Sequence, residues 1–394
     1  MANNSTLTPS IISKETLVML ENNLVAAGKV NRTFENQFVK IGTTLTVRKP
    51  NRFKVTSGPG LSIQDVVEPS TSITISNQKH VDFQFGSQEL TLTIEEFSER
   101  YLKPAASELG NQLDFDVISN YSAVNNLVGT PGTVPATFAS LGAVGQRMDE
   151  GAVPQDGRVL ILNPAAYWSM ADGLKAVFVQ SVAEPALKGF LARIANFEIY
   201  MDQNVQNQTV GAFAGSGVVN GAAQTGSSVV TNGWTASING LLKQGDVITF
   251  AGVNAVNPKS RQSTGSLQNF VVTANVNSDG AGNATIPVYP SITTTGAYQT
   301  VTGSPANGAV IAVKGTASTA FAQNLAFVKD TFGLVTVPME LPDGVDFKAR
   351  EIYKNISLRI IRAYDVQNDV FPCRVDILYG TTTFYPELGC RLTN

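Results

Sequence analysis

His80, Cys373 and Cys390 are the only imidazole and thiol side chains in this 394-residue chain, and they limit the chemistry it could do. A structural zinc site draws about four ligands from such groups, more than the sequence holds. Nucleophilic catalysis of the Ser-His-Asp or Cys-His kind would have to run through His80 alone. His80 falls in an alternating stretch and reads as a solvated or packed strand residue. Two cysteines do not make a disulfide framework, so Cys373 and Cys390 read as reduced thiols. Glu95 with Glu96, and Glu340 with Asp343, could serve as acid and base. A helix start explains the first pair more cheaply, and loop solvation the second. Gly215-Ser216-Gly217-Val218-Val219-Asn220-Gly221 approaches a dinucleotide-binding turn, but its third glycine comes one residue late, without strand-to-helix context. It reads as a linker. There is no GxxxxGK[ST] phosphate loop, and Asn31-Arg32-Thr33 carries no weight as a glycosylation site without a secretory signal. No enzyme activity, metal or cofactor is expected.

Composition narrows the classes further. Lys plus Arg number 28 against 31 Asp plus Glu, a net charge of -3. A basic nucleic-acid reader would need the opposite balance. Apolar residues make up 43% of the chain, ample for a core, while charged residues are only 15%. Soluble chains average about 25% charged. Interface cores are depleted in charge, so a chain that spends its surface on subunit contacts would look like this. The first residues lack the basic and apolar regions of a signal peptide, and no run of about 20 apolar residues occurs. No membrane association is expected.

The elements that must position any contact residue show in the periodicity. Thr8-Pro9 reads as a helix start, and Leu17, Leu20, Leu24 and Ala27 follow at helical spacing, with Gly28 as the stop. From Phe38 to Phe85 the period changes to two. Thr44 to Val47, Phe53 to Val55, Ser72 to Ile75 and Val81 to Phe85 alternate, and Ser57-Gly58-Pro59-Gly60 makes a turn. This reads as a long hairpin with extra strands. Its first half carries Lys40, Arg48, Lys49, Arg52 and Lys54 with no intervening acid. That is a solvated strand face or a basic arm that reaches an acidic surface on a neighbour. Thr93-Ile94-Glu95-Glu96 matches a capping box. Ile94, Phe97, Tyr101, Ala105, Leu109, Leu113, Val117 and Tyr121 then mark one face of a helix of roughly 28 residues, about 42 Å long. Pro104 should bend it. Glu95, Glu96 and Glu99 suit the positive end of its dipole. Beyond it come a helix from Thr137, a buried strand Val159 to Leu162, a helix at Asn163-Pro164 and a strand Phe197 to Tyr200. Strands Ile356 to Ala363 and Arg374 to Tyr379 close the chain. Helices and strands without strict alternation favour an α+β fold.

The middle differs in kind. Residues 205–320 hold six charged residues in 116 positions, against 53 in the remaining 278, and 16 of the 34 glycines. Short β runs there, such as Asp246 to Phe250 and Phe270 to Thr273, lie between turn clusters. This reads as an inserted all-β domain, a small barrel or sandwich, splitting an α+β host.

In this order the parts resemble the major capsid (coat) proteins of tailed bacteriophages, above all those of short-tailed phages with a β-barrel insertion domain. Gly245-Asp246-Val247-Ile248-Thr249-Phe250-Ala251-Gly252-Val253 looks like the family's Gly-Asp-x-Ile-x-Phe-Ala-Gly-Val stretch, so Gly245, Asp246, Phe250 and Gly252 are marked as insertion-domain residues. Ala297-Tyr298 and Ala306-Asn307-Gly308-Ala309-Val310 are similar to its later part. Leu162-Asn163-Pro164-Ala165-Ala166-Tyr167 resembles the Phe-Asn-Pro-x-x-Tyr turn, and Cys373-Arg374-Val375-Asp376-Ile377-Leu378-Tyr379-Gly380 the closing Cys-Arg-x-x-x-x-Tyr-Gly strand. The arm and hairpin carry no such match.

The resemblance implies the capsid fold shared by tailed phages and herpesviruses. It divides the chain into an N-terminal arm (1–37), an E-loop with flanking strands (38–90), a spine helix (91–130), a peripheral and axial α+β domain (131–205 and 320–394) and the insertion (206–319). It also implies hexamers and pentamers of an icosahedral head around double-stranded DNA, assembled in the bacterial cytoplasm with a scaffolding protein and a portal. Arg48, Lys49, Arg52 and Lys54 are expected to meet acids of an adjacent subunit, with Glu95, Glu96 and Glu99 as candidates. The insertion around Lys243 to Val253 is expected to support folding of its host or contacts between capsomers. The rival class is a surface adhesin or fibre subunit, suggested by the Thr/Asn/Gly-rich β region.

Overall fold

The computed structural model describes residues 13–14, 16–20, 24–33, 44–61, 63–66, 68–86, 101–174, 193–345, 347–353 and 355–393. The chain forms two compact units. The first comprises Met1–Arg48, Ser70–Val117 and Phe332–Thr382; the second comprises Lys49–Pro69, Ile118–Thr331 and Thr383–Asn394.

In the first unit, strand Asn77–Gly86 pairs antiparallel with Val370–Thr383, from Gly86 opposite Val370 to Asn77 opposite Tyr379. Ile356–Arg362 and Phe347–Tyr353 extend that sheet, with Phe332–Thr336 on its other flank. Val375, Ile377 and Tyr379 are buried at every second position, as are Ile356, Leu358 and Ile360. The apolar residues keep the period of a strand with one face on a core, and Ser357 and Asp376 between them are buried as well. Thr44–Arg48 pairs with Ser70–Thr74, and Leu45 and Ile73 bury against Val335. The helix Lys103–Ile118 buries Ala105, Leu109, Leu113 and Val117, the face its sequence marks.

The helix departs from expectation at its C-terminal end. Tyr101 and Leu102 are π-helical and the α-helix begins at Lys103, so Pro104 sits in its first turn, where a missing N–H costs least. At Ser119 the backbone tightens into a 3-10 turn, Ser119–Ala123, and Val124 is extended. Ser119, Asn120 and Ser122 are poor helix formers whose side chains compete for the backbone, and the Ser122 hydroxyl donates to Ser119 O at 3.4 Å. The described α-helix therefore spans 16 residues, about 24 Å, and ends before Tyr121; the expected part ahead of Tyr101 lies outside the described residues. Glu95, Glu96, Glu99 and the capping box lie outside the described residues, as do Thr8 and Lys40.

The second unit has a seven-stranded sheet. In order it runs Leu127–Val128, Cys390–Thr393, Ala320–Val328, Arg158–Leu162, Phe197–Met201 and Arg193–Ile194, with Asn207–Thr209 also on Ala320–Val328. Arg158–Leu162 is buried at all five positions, Val159 to Leu162 as an apolar run and Arg158 through bonds to Pro154 O, Val153 O and Asp149. Helices Phe138–Glu150 and Pro164–Leu174 cover it. The Thr137 side chain accepts from Ser140 N, and Asn163 Oδ1 accepts from Ala166 N at 2.9 Å. Both are N-cap contacts, the second with proline at the first helical position.

From this sheet the chain enters a second one. Ile311–Val313, Val247–Phe250, Phe270–Val272, Ala284–Ile292, Gly226–Trp234 and Gly215–Val219 form it in that order. The bridge Val218–Val310 joins its first and last strands, so the sheet closes into a small barrel. Phe250, Phe270, Ile248, Ile286 and Val229, none with exposed surface, fill it. Entry and exit are neighbours, since Thr209 pairs with Ala320. An inserted barrel needs that geometry.

Candidate functional site

The basic hairpin is built from strands that stop early. Arg48 is the last paired residue, opposite Ser70. Lys49 N still donates to Pro69 O at 2.7 Å. Pro50 then has no N–H to offer, and the ladder ends. Phe53 to Val55, read from sequence as a strand, is irregular instead. Its limb is held by the Gln64 side chain, whose Oε1 accepts from Lys54 N at 2.8 Å. The loop 49–69 leaves Phe53, Val55, Leu61, Ile63 and Val66 facing solvent at 62, 94, 89, 84 and 64% exposure.

Two of the four expected contact cations meet groups of their own chain. Arg52 Nη2 donates to Glu387 Oε1 at 2.9 Å, and Arg52 N donates to the Tyr298 hydroxyl at 3.3 Å. The other Glu387 oxygen accepts from the Tyr289 hydroxyl at 2.9 Å. Lys49 Nζ lies 4.9 Å from the centre of the Tyr385 ring. Burial pushes Lys49 below the usual lysine range, against the pull of Glu387. Burial and the Glu387 charge hold the Tyr289 phenol well above its usual value. A cleft of about 120 Å³ beside them is lined by Arg52, Arg147, Glu150, Gln299 and Tyr289. Arg48 and Lys54 are exposed. Sequence reasoning missed Glu387, Tyr289 and Tyr385, which lie more than 200 positions from Arg52 and share no local pattern with it.

The insertion motif is buried rather than displayed. Asp246 is 2% exposed, and its carboxylate accepts from Lys243 N at 2.8 Å, Gly211 N at 2.9 Å and Gln208 Nε2 at 2.9 Å. Burial raises its pKa, opposed by these three donors and by the Arg391 charge. Arg391, 1% exposed, donates from Nη1 to Gly245 O at 2.8 Å, with its guanidinium 5.8 Å from the Tyr121 ring centre. Burial lowers Arg391 to about 10, against the support of Tyr121 and Asp246. Gly245 has φ +93°, and a Cβ there would press on Gln208 Oε1. Gly252, φ +76°, turns the chain after Phe250, whose ring packs 5.2 Å from Phe270. Gly245 and Gly252 thus shape turns, Phe250 fills the barrel and Asp246 ties barrel to host.

The remaining reactive groups hold structural positions. His80 lies on Asn77–Gly86 with Nδ1 3.0 Å from Asp82 Oδ2, its side chain 44% exposed. Cys373 and Cys390 are buried free thiols, raised by burial to about 11 and about 12. Among the described residues no three His, Cys, Asp or Glu side chains gather as a metal site. No described helix is long and apolar enough to cross a membrane.

Comparison with known proteins gives this geometry its context. A major capsid protein of Acyrthosiphon pisum secondary endosymbiont phage 1 is 27% identical over 172 residues, 41% of this chain and 40% of that protein. The match therefore spans less than half of that relative. A solved structure from Mycobacterium phage Che8 superposes with a TM-score of 0.51, covering 94% of this chain and 90% of that one at 10% identity. That likeness carries the fold: mixed helices and sheets of the tailed-phage capsid type with an all-β insertion. The family model described as P22 coat protein, gene protein 5, matches residues 1–394, and the chain belongs to that family.

Proposed function

We propose that this chain is the major capsid protein of a phage head, assembling into hexamers and pentamers of an icosahedral shell around double-stranded DNA. The observation that carries the reading is the match of the coat-protein family model along the whole chain. Scaffolding protein and portal are the partners, assembly occurs in the host cytoplasm, and the mature location is the virion. The near-neutral charge suits a wall that need not grip DNA packed inside it. The family match speaks against the adhesin alternative.

The loop 49–69 is the subunit-contact element in this reading. Burying Val55, Leu61 or Ile63 contributes about 1.5–3 kcal/mol each, whereas an exposed ion pair contributes about 0–1 kcal/mol. The apolar tip therefore supplies the affinity of the contact. Arg48, Lys49, Arg52 and Lys54 set its register against acids such as Glu95, Glu96 and Glu99 of an adjacent subunit. The insertion, residues 206–319, supports its host rather than meeting neighbours through Asp246, which is buried. Co-expression with a scaffolding protein, followed by sedimentation and negative-stain microscopy, tests the reading. Wild type should give closed shells of one diameter. The double variant Leu61→Ser/Ile63→Ser, and separately Arg52→Glu, should fold but fail to close. Normal shells from both would remove the loop's role.

A further inference from the structure

The loop 49–69 has two faces of different chemistry. Its apolar side chains stand in solvent, while Lys49 and Arg52 are already engaged. Glu387 stands in the 3-10 turn Pro386–Leu388. Its Oε2 is fixed by the Tyr289 hydroxyl, leaving Oε1 for Arg52 at 2.9 Å. Tyr298 takes the Arg52 backbone N–H, and Tyr385 lies beneath Lys49. Three tyrosines and one carboxylate thus form a seat for the arm. The loop also closes on itself, through Lys49 N to Pro69 O and Lys54 N to Gln64 Oε1. The Arg52 and Glu387 side chains keep 40% and 30% of their surface in solvent. Contacts of that exposure are weak and readily exchanged.

We infer that the contact of Arg52 and Lys49 with Glu387, Tyr298 and Tyr385 is an intramolecular latch that restrains assembly of the free subunit. The inference rests on the shell-building reading above. In the seat Arg52 gives its Nη2 to Glu387 and its backbone N–H to Tyr298, so any docking on a second copy that draws the loop away must first break these bonds. The latch keeps the loop's polar face docked until a partner offers apolar surface for Phe53, Val55, Leu61 and Ile63. Unassembled subunits are thereby held back, and joining is favoured where several contacts form together.

The test uses the full-length subunit and two variants. Glu387→Gln removes the charge while keeping size and polarity; Tyr298→Phe removes the acceptor of the Arg52 N–H. Limited trypsin digestion of unassembled protein reads how often Arg52 leaves the seat, with cleavage at the exposed Lys54 as the internal reference. Light scattering after scaffold addition reads the onset of assembly. Glu387→Gln should be cleaved after Arg52 about two to five times faster than wild type, the range expected for one exposed charge pair. It should also assemble at a lower protein concentration, with Tyr298→Phe intermediate. Glu340→Gln, a charge removal away from the seat, should match wild type in both readouts. Unchanged cleavage in Glu387→Gln overturns the latch. Faster cleavage with unchanged or slower assembly shows that the contact exists but does not restrain joining, which also overturns it. If no protein assembles with any scaffold, the shell reading fails, and the cleavage comparison still decides the intrachain contact.

Discussion

Replacing Asp246 by alanine should unfold the insertion far more readily than its place in a glycine-bounded turn suggests. Its carboxylate satisfies three donors, Lys243 N, Gly211 N and Gln208 Nε2, at 2.8–2.9 Å, and it faces the buried charge of Arg391. A hydrogen bond to a charged group contributes about 1.5–3 kcal/mol, but three on one carboxylate do not add in full. Leaving a buried charge without its partner costs about 3–5 kcal/mol. Asp246→Ala should therefore destabilise by about 3–5 kcal/mol. Asp246→Asn keeps one acceptor oxygen and should cost about half as much. The chain has two tryptophans, Trp168, 58% exposed, and Trp234, 6% exposed inside the barrel. In a Trp168→Phe background, urea unfolding followed by fluorescence therefore reports the barrel alone. Arg391→Met should shrink the cost of Asp246→Ala, because the orphaned charge is gone. A loss below about 1 kcal/mol, or a cost unchanged by Arg391→Met, would refute the tie between barrel and host.

Other perturbations have equally definite outcomes. Arg374 donates twice to Asp82 at 2.8 Å, and these bonds, aided by His80, hold the Asp82 carboxyl below the usual aspartate value of 3.8. A depressed folded pKa contributes stability above the unfolded value, lost as pH falls through the folded one. Between about pH 5 and about pH 3 the urea midpoint of wild type should drop more than that of Asp82→Asn, by a small margin at so exposed a site. Equal drops would contradict this. Cys373 and Cys390 are 3% and 0% exposed, with thiols raised to about 11 and about 12. At about pH 8 neither should react with a thiol reagent until the chain unfolds; rapid labelling of native protein would contradict their burial. A Cβ at Gly217 would enter the Trp234 ring. Gly217→Ala should shift the Trp234 transition by about 1–3 kcal/mol, and an unchanged midpoint would show that the barrel gives way there.

Elements set by local pattern were legible, and those set by distant partners were not. The apolar run Val159 to Leu162 could only be a buried strand, and Thr137 and Asn163 announced the helices they cap. Charge depletion marked residues 205–320 as a separate β region before any strand pairing was known. Period-two alternation misread Phe53 to Val55, because Pro50 ends the ladder that alternation needs. Apolar spacing overran the long helix, because a repeat of three or four residues also fits the 3-10 turn holding Tyr121. The central polar contacts had no local signature. Asp114, 2% exposed, accepts from Val25 N and Ala27 N at 2.7 Å, some 87 to 89 positions away. Glu387 meets Arg52 across 335 positions. Asp246 was singled out through the family resemblance, but only the fold shows that it points inward. The basic residues of the arm stand out in the sequence as a cluster, while the intrachain acid Glu387 has no local signature there.

The central claim is that this chain builds the wall of a phage head. Electron cryomicroscopy of protein co-expressed with a scaffolding protein tests it most directly. The account predicts closed icosahedral shells in which each subunit shows the seven-stranded sheet and the inserted barrel, with loop 49–69 packed on an adjacent subunit. Monomers under every condition, or assemblies in which that loop remains in solvent, would contradict it.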